Sequence, residues 1–208
     1  MKLISSLFIL FALFTQLYGQ EFTKMSDSKA CKAALEKQHK ETESIKADFS
    51  ETATSALLTS AQKATGKMWY KKSDKIRWEK TSPESHIILI NGKTVKMKDK
   101  GKEVTNASAK MVAKKIQQLM VQMMTGEFLN EKDFKIVYFE NKSNYKLVLT
   151  PKNDKMKRYV AEISLIFDKK ELIIKQLTME QDESSKLDYK FSNTELNTSI
   201  ADTKFTTF

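Results

Sequence analysis

The chain has 208 residues, of which 40% are hydrophobic, and 36 lysines and arginines against 26 acids give it a net charge of +10. This length suits one domain, on a scale of roughly 100 to 200 residues per domain. A single cysteine, Cys31, excludes an internal disulfide, so an apolar core has to stabilise the fold. The lysines are spread along the chain instead of clustered on one segment. We therefore expect a solvated basic surface and no nucleic-acid partner, with attraction to an anionic membrane or protein surface as the alternative.

The first 19 residues have the order of a secretory signal peptide. Lys2 is their only charge, an apolar run extends from Leu7 to Phe14, and Gly19 precedes polar sequence. The run is too short to span a membrane, and a buried helix or a retained anchor is the alternative. Cleavage would start a single mature domain near Gln20 and lower the net charge to +9. No cysteine follows the run directly, so we do not expect the chain itself to be a lipoprotein.

The predicted elements begin with a helix and then change to strands. Weakly apolar residues recur at helical spacing from Ser26 to about Ser44. From Ile45 to Ala53 the period switches to two, which predicts a strand, and another strand begins at about Gln62.

The stretch from Gly66 to Thr94 predicts consecutive short strands. Turn signals occur near Ser73-Asp74, Ser82-Pro83 and Asn91-Gly92. The runs on either side of Asn91-Gly92 form a predicted hairpin, because Asn-Gly favours a two-residue turn.

The register of the first two of these strands depends on the length of the loop between them. Alternation places Met68 and Tyr70 on one face and Trp69 on the other. A three-residue loop, Ser73 to Lys75, would set Ile76 and Trp78 beside Met68 and Tyr70, whereas a two-residue turn would set them beside Trp69. We favour the longer loop because it gathers more apolar side chains on one face.

The helical period returns from Ala107 to Thr125, and Gly126 is a predicted stop. Its apolar side comprises Val112, Ile116, Leu119, Met120 and Met123. Five more strands are predicted at Phe134–Phe139, Tyr145–Thr150, Tyr159–Phe167, Leu172–Met179 and Leu187–Phe191. The order of elements implies one antiparallel sheet with a few helices on one face. Such a sheet of about ten twisted strands tends to curl, and the helices then either complete a core or leave a cavity.

Residue types that carry catalysis or hold metals form no recognisable constellation. His39 and His86 have no partner at metal-ligand spacing, and the sequence contains no phosphate-binding loop or nucleophile motif. Cys31 fits a small apolar residue on the first helix better than a reactive thiol. We expect no cofactor, no metal and no enzymatic activity; an exported enzyme with an unrecognised site is the alternative.

Short motifs occur in order through most of the chain: Ala47-Asp48-Phe49, Gly66–Lys72, Arg77-Trp78, Thr81-Ser82-Pro83, Ile88-Leu89, Gly92-Lys93-Thr94, Leu149–Lys152 and Lys204-Phe205-Thr206. None is specific alone. Together, in this order and spacing, they resemble the periplasmic outer-membrane lipoprotein carrier family, LolA. Phe191-Ser192-Asn193 and Leu196-Asn197 are similar to the versions of this family found in Bacteroidota.

The resemblance implies a mainly β fold, an unclosed antiparallel β-barrel covered by helices, whose apolar cavity takes the acyl chains of lipoproteins. It implies a periplasmic chaperone, expected to be a monomer, that accepts lipoproteins from an inner-membrane ABC transporter and delivers them to the outer membrane. It leaves the outer-membrane acceptor open. A LolA-like binding or sensor module for another hydrophobic ligand is the alternative.

Eight residues are the candidates for the lipid-facing surface, and their alternative role is to form a closed core. They are Phe49, Met68, Tyr70, Ile76, Trp78, Met97, Met120 and Met123. The family often has an arginine at the position of Lys72, where it holds the lid closed through hydrogen bonds to the lid backbone. Lysine lacks the guanidinium fork, so Lys72 is a candidate for weaker lid closure. Glu51 stands where the family commonly has glutamine.

Overall fold

The structure is a computed structural model that describes residues 21–208; the predicted signal peptide, residues 1–19, lies outside them. The helices in this part of the chain are α1 (Lys29–Glu41), α2 (Ala107–Thr125) and α3 (Asp154–Lys157). The strands are β1 (Thr23–Lys24), β2 (Ser44–Thr54), β3 (Gln62–Lys71), β4 (Lys75–Ser82), β5 (His86–Asn91), β6 (Thr94–Asp99), β7 (Lys102–Glu103), β8 (Phe134–Glu140), β9 (Asn144–Pro151), β10 (Glu162–Asp168), β11 (Ile174–Glu180) and β12 (Lys186–Leu196). Two short 3-10 helices span Glu127–Asn130 and Asp202–Phe205.

All twelve described strands form one antiparallel sheet in the order β1-β8-β9-β10-β11-β12-β2-β3-β4-β5-β6-β7. The two halves of the chain meet where β12 pairs with β2, with Phe191 opposite Phe49. The end strands β1 and β7 do not pair with each other, so the barrel is unclosed. The predicted fold class is therefore confirmed. The predicted count of about ten strands is low because β1 and β7, of two residues each, are too short to show a period.

Local sequence signals account for the main boundaries. Asn106 caps α2 by accepting a hydrogen bond from the backbone N–H of Ala109 (2.9 Å). Gly126 ends α2 with φ of 85°, in the left-handed region that favours glycine. Gly92 also has positive φ, 57°, and closes the β5–β6 hairpin in which Asn91 pairs with Thr94. The predicted hairpin and helix stop are confirmed.

Three predicted boundaries differ from the structure. The strand predicted from Tyr159 begins at Glu162, because α3 and the turn after it occupy the preceding residues. The strand predicted from Leu172 begins at Ile174, since Leu172 has a left-handed φ of 55°. β12 extends five residues beyond Phe191, where a shift in its pairing with β2 lets it continue.

The core lies between the inner face of the curled sheet and the helices α1 and α2. Cys31 and Leu35 are the buried residues of α1, while α2 buries mainly its C-terminal half. From the second half of the sheet the fully buried contributors include Leu147, Leu149, Ile163, Leu165 and Leu177. These residues and the β2–β6 side chains belong to one cluster, so the two halves of the sheet share one core.

Candidate ligand-binding site

The inner face of β3 and β4 has the register that the three-residue loop predicts. Met68 lies opposite Trp78, and Tyr70 lies opposite Ile76. Trp69 faces the other way, opposite Arg77. Lys71 pairs with Lys75, so three residues, 72–74, separate the paired ends. The predicted length of the loop is confirmed, but the loop begins one residue earlier than the predicted Ser73 to Lys75.

Phe49 of β2 extends the apolar inner face of β3 and β4, and its ring lies beside Gly66. We call the side chains of Phe49, Met68, Tyr70, Ile76 and Trp78 the apolar wall. Phe49 pairs with Gly66 on β3, and a Cβ added to Gly66 would lie 2.5 Å from Cζ of Phe49 and 2.2 Å from the carbonyl oxygen of Glu79. The ring of Phe49 stacks on Trp78 at a centroid distance of 4.4 Å and an angle of 26°. Gly66 is thus required because an aromatic side chain and a neighbouring backbone both occupy the place of its side chain.

All eight predicted cavity residues gather in one apolar cluster, with Tyr70 at its partly buried margin. Met120 is 1% exposed and Met123 is fully buried, and both belong to the same cluster as Met97 of β6. In this conformation the eight side chains therefore pack against one another as a filled core. Whether they contact lipid stays a prediction.

The apolar side predicted for α2 is buried along only part of its length. Val112 is 57% exposed and Ile116 is 45% exposed, whereas Leu119 is partly buried and packs against the core. A crevice of about 20 Å³ lies between the ends of α1 and α2 and the sheet, among residues that include Ile45, Met124 and Phe167. This volume is close to that of one water molecule. An acyl chain could enter here only if the helices move away from the sheet.

The two helices contact each other where α2 ends. A Cβ on Gly126 would lie 3.4 Å from Cβ of His39 and 3.7 Å from the carbonyl oxygen of Leu35, both on α1. Nζ of Lys32 on α1 forms an ion pair with Oε1 of Glu131 (2.6 Å), just beyond the 3-10 helix that follows α2. These contacts make α1 and the end of α2 a joint cover over the inner face.

Cys31 occupies the buried side of this cover, as the sequence predicts. Burial and then the charge of Glu140 raise the pKa of its thiol to about 11. The thiol therefore stays protonated near neutral pH and behaves as a small apolar group.

Lys72, the predicted lid-closure residue, lies just beyond the end of β3 and contacts α1. Its Nζ donates to Oε1 of Glu43 (2.6 Å) and lies 3.5 Å from the carbonyl oxygen of Lys40 at the end of α1. The side chain is about half exposed. Its effect on lid closure stays a prediction, and the long contact to one carbonyl is its direct link to the helical backbone.

The outer face of β3 and β4 has a cover of its own, which the sequence interpretation missed. Trp69, predicted to lie on this outer face, does so but is only 9% exposed, because Ile200 and Phe205 pack with it. Nη1 of Arg77 donates to the carbonyl oxygens of Thr207 (2.8 Å) and Lys204 (3.3 Å). We call residues 198–208 the C-terminal segment. Ile200 and Phe205, two large apolar residues with mainly polar neighbours, were the available signal in the sequence.

Ion pairs fix the C-terminal segment further. Asp202 lies 2.8 Å from Nζ of Lys71 and 2.9 Å from Nζ of Lys75. These hydrogen bonds lower the pKa of Asp202 to about 2. Nζ of Lys204 lies 3.9 Å from the ring centroid of Trp69, a cation–π distance. Burial, and then the charge of Arg77, lower the pKa of Lys204.

A second missed feature is a buried polar group on the inner face. Glu51 is 7% exposed, and its Oε1 accepts from Nζ of Lys80 (2.6 Å). Tyr189 lies directly opposite Glu51 in the pairing of β12 with β2. Burial, followed by the charge of Glu51, raises the pKa of the Tyr189 phenol well above its usual value, so the phenol stays protonated. The glutamate at a family glutamine position was the signal for this group.

Two further observations concern residues 21–208. They contain no cluster of three or more histidine, cysteine or acidic side chains arranged to hold a metal. None of the helices described is both long enough and apolar enough to cross a membrane.

The fold and its inner face define a class: an unclosed antiparallel barrel whose apolar interior is covered by helices. A family profile described as outer membrane lipoprotein carrier protein LolA matches residues 40–207. The chain belongs to the LolA family, as its sequence motifs predict. This is a family of carrier proteins. Comparison of the sequence with curated proteins found no match.

Comparison with solved structures found matches at low sequence identity. The crystal structure of a LolA superfamily protein from Nitrosomonas europaea is 9% identical, with a TM-score of 0.44, and the match covers 85% of this chain and 97% of that one. The crystal structure of MucB is 11% identical, with a TM-score of 0.49, and covers 85% of this chain and 62% of that one. A DUF1329 family protein from Desulfovibrio piger is 11% identical, with a TM-score of 0.45, over 85% of this chain and 94% of that one.

Proposed function

We propose that this protein binds the acyl chains of lipoproteins between its curled sheet and its helices, and that it carries lipoproteins from the inner to the outer membrane. The observation that carries this proposal is the methionine-rich contact between α2 and the apolar wall. Met120, Met123 and Met124 are all buried in it. Membership of a family described as outer membrane lipoprotein carriers supports lipoprotein acyl chains as the ligand.

The chemistry of this contact suits reversible opening. Methionine is unbranched and polarizable, so its side chain can fill the space when a ligand leaves and rearrange when one enters. A long acyl chain gains about 0.8 kcal/mol per buried methylene, on the order of 10 kcal/mol in all. This gain can offset the loss of contacts when α2 separates from the sheet.

The proposal includes a location and partners. The protein acts as a monomer in the periplasm and receives its cargo from an inner-membrane ABC transporter. The basic surface favours approach to anionic membranes. Transfer at the outer membrane requires a competing apolar environment, either the bilayer or an acceptor protein.

The proposal can be tested with a double variant, Met120→Gln with Met123→Gln, which places two amides on the buried side of α2. We expect wild-type protein to bind a fluorescent fatty acid and to release lipoproteins from inner-membrane vesicles that contain the transporter. The double variant should lose both activities. Met111→Gln is the matched control, because Met111 lies on the same helix but is 55% exposed.

Two results would contradict the proposal in different ways. Folded wild-type protein that binds no acyl chain would exclude a lipid carrier of any kind. Protein that binds fatty acid yet releases no lipoprotein would instead support a binding or sensor module for another hydrophobic ligand.

A further inference from the structure

The inner face carries a polar group whose hydrogen bonds are incomplete. Glu51 follows Phe49 on the inward side of β2, and Lys80 follows Trp78 on the inward side of β4. Lys80 satisfies Oε1 of Glu51, and the Tyr189 hydroxyl interacts with the same carboxylate, yet no described donor meets both the distance and the angle of a hydrogen bond to Oε2. Nε1 of Trp78 also has no partner among them, although Trp78 is only 1% exposed.

Stability of the fold does not explain this arrangement. A buried donor or acceptor without a partner destabilises a protein, and a buried ion pair is often replaceable by apolar side chains at no loss. Trp78 is also held rigidly: its ring stacks on Phe49 and meets the ring of Tyr189 edge-on at 5.4 Å. The unpaired donor therefore cannot easily turn towards a partner within the protein.

The position of the group relates it to the acyl-chain site. Glu51 and Lys80 lie towards the end of the sheet away from the β3–β4 loop, beyond Phe49 and Trp78. Lys80 is 29% exposed, so this end of the inner face borders solvent. A chain packed along Phe49 and Trp78 would present its polar end to Glu51.

We propose that Glu51 and Trp78 form a subsite for the polar end of an acyl lipid, and that this end is a neutral group that both donates and accepts a hydrogen bond, as an amide or a hydroxyl does. The ligand donates to Oε2 of Glu51 and accepts from Nε1 of Trp78. An ester offers acceptors alone and leaves Glu51 unpaired. An ionised carboxylate likewise offers acceptors alone, so a fatty acid can bind but leaves Oε2 of Glu51 without a donor. The inference rests on the proposed function, because it requires an acyl chain on the inner face.

A matched pair of ligands tests the subsite on the wild-type protein. N-methyldodecanamide has an N–H donor and a carbonyl acceptor, while N,N-dimethyldodecanamide keeps the chain and the carbonyl but lacks the donor. In displacement of a fluorescent fatty acid, we expect the first to bind about tenfold more tightly, since a factor of ten corresponds to about 1.4 kcal/mol. Dodecanol should also bind more tightly than methyl dodecanoate, and the relative affinities of dodecanol and the secondary amide identify the preferred group.

Two variants assign the preference to these residues. Glu51→Leu with Lys80→Met removes the ion pair, and Trp78→Phe removes the N–H donor but keeps an aromatic ring. Both should reduce the preference for N-methyldodecanamide to about twofold or less, a difference of roughly 0.4 kcal/mol. Asp48→Asn is the control, because Asp48 lies on the outward side of the same strand, beside Lys67.

The outcomes separate the subsite from the function on which it rests. If neither amide binds, the acyl-chain site itself is contradicted. If both amides bind equally well to the wild-type protein, the acyl-chain site stands and the subsite is wrong. If the wild-type preference persists in both variants, another group recognises the ligand and the assignment to Glu51 and Trp78 is wrong.

Discussion

The two faces of strands β3 and β4 are both covered, but by different kinds of contact. On the inner face, the helices pack through Met120, Met123 and other apolar side chains. On the outer face, the C-terminal segment combines a small apolar cluster with directional bonds, such as that from Arg77 to the carbonyl oxygen of Thr207 (2.8 Å). The same pair of strands thus has a cover that is mainly apolar on one side and one that is strongly polar on the other.

This difference indicates which cover can be displaced by a ligand. Dispersion contacts are individually weak and non-directional, so an acyl chain can replace those lost when the helices move. Hydrogen bonds from a buried guanidinium to backbone carbonyls have no such substitute in a lipid. Breaking them leaves Nη1 of Arg77 without these acceptors, although its Nε keeps an ion pair with Glu79 (2.7 Å). We therefore expect the helices to open and the C-terminal segment to stay in place.

The sharpest test compares Phe205→Ala on the outer face with Met120→Ala on the inner face. Both residues are 1% exposed, so both substitutions leave a cavity. We expect losses in the free energy of unfolding of about 4 kcal/mol for Phe205→Ala and about 3 kcal/mol for Met120→Ala, measured by urea unfolding.

Fatty acid should separate the two variants. Because a ligand that binds only the folded state stabilises it, an acyl chain should restore stability to Met120→Ala by occupying the new space. It should stabilise Phe205→Ala no more than it stabilises the wild-type protein. Equal recovery in both variants would mean that the outer cover also responds to ligand and would remove the proposed distinction.

A smaller loss of stability is expected on substitution of Gly66, which lies beside the ring of Phe49 in the apolar wall. Gly66→Ala would force apart Phe49 and the backbone of Glu79, and we expect it to cost about 2 to 3 kcal/mol of unfolding free energy. Gly92→Ala is the control: its Cβ would meet nothing within 4 Å, and the positive φ alone should cost about 1 kcal/mol. Circular dichroism in urea measures both, and equal losses would contradict the steric role of Gly66.

The smallest effect concerns pH and the outer cover. Because the folded protein lowers the pKa of Asp202 to about 2, the stabilisation from this group is present above its usual pKa of about 4 and is lost as the pH falls from about 4 to about 2. Asp202→Asn should therefore lose less stability than wild type over this range, as judged by urea midpoints. Asp154→Asn, which changes an exposed acid outside the C-terminal segment, should behave like wild type. A variant at Asp202 that follows the wild-type curve would show that its ion pairs add no stability.

Most of the fold could be predicted from local sequence. The period-two pattern, the Asn91-Gly92 turn and the Gly126 stop are signals within a few residues, and the structure confirms each. The pairing of Thr23 and Lys24 with β8 could not be predicted, because it joins residues more than a hundred positions apart and the strand is too short to show a period. Alternation along β3 would put Lys72 on the same face as Met68 and Tyr70, but the strand ends one residue before it.

The apolar cluster on the inner face could be predicted from the sequence, whereas its role as a lipid site stays a prediction. Alternation and helical spacing correctly brought Met68, Trp78 and Met123 to one side of the sheet. The same pattern fits a closed core and a lipid-filled cavity, because both require apolar side chains at the same positions. The polar pair of Glu51 and Lys80 was missed because charged residues normally indicate exposure, and only the three-dimensional structure shows that Glu51 is buried.

The two end strands bear on whether the open sheet can pair with the strands of other chains. A sheet that does not close leaves backbone N–H and C=O groups free to pair with another chain, which is a common route to aggregation. Here each end strand has only two residues and includes a lysine, Lys24 in β1 and Lys102 in β7. One more backbone hydrogen bond continues each end, from Met25 to Tyr138 and from Val104 to Met97. A second molecule would therefore find only two residues to join on each end strand, one of them a lysine, so the end strands themselves offer little template for the addition of another strand.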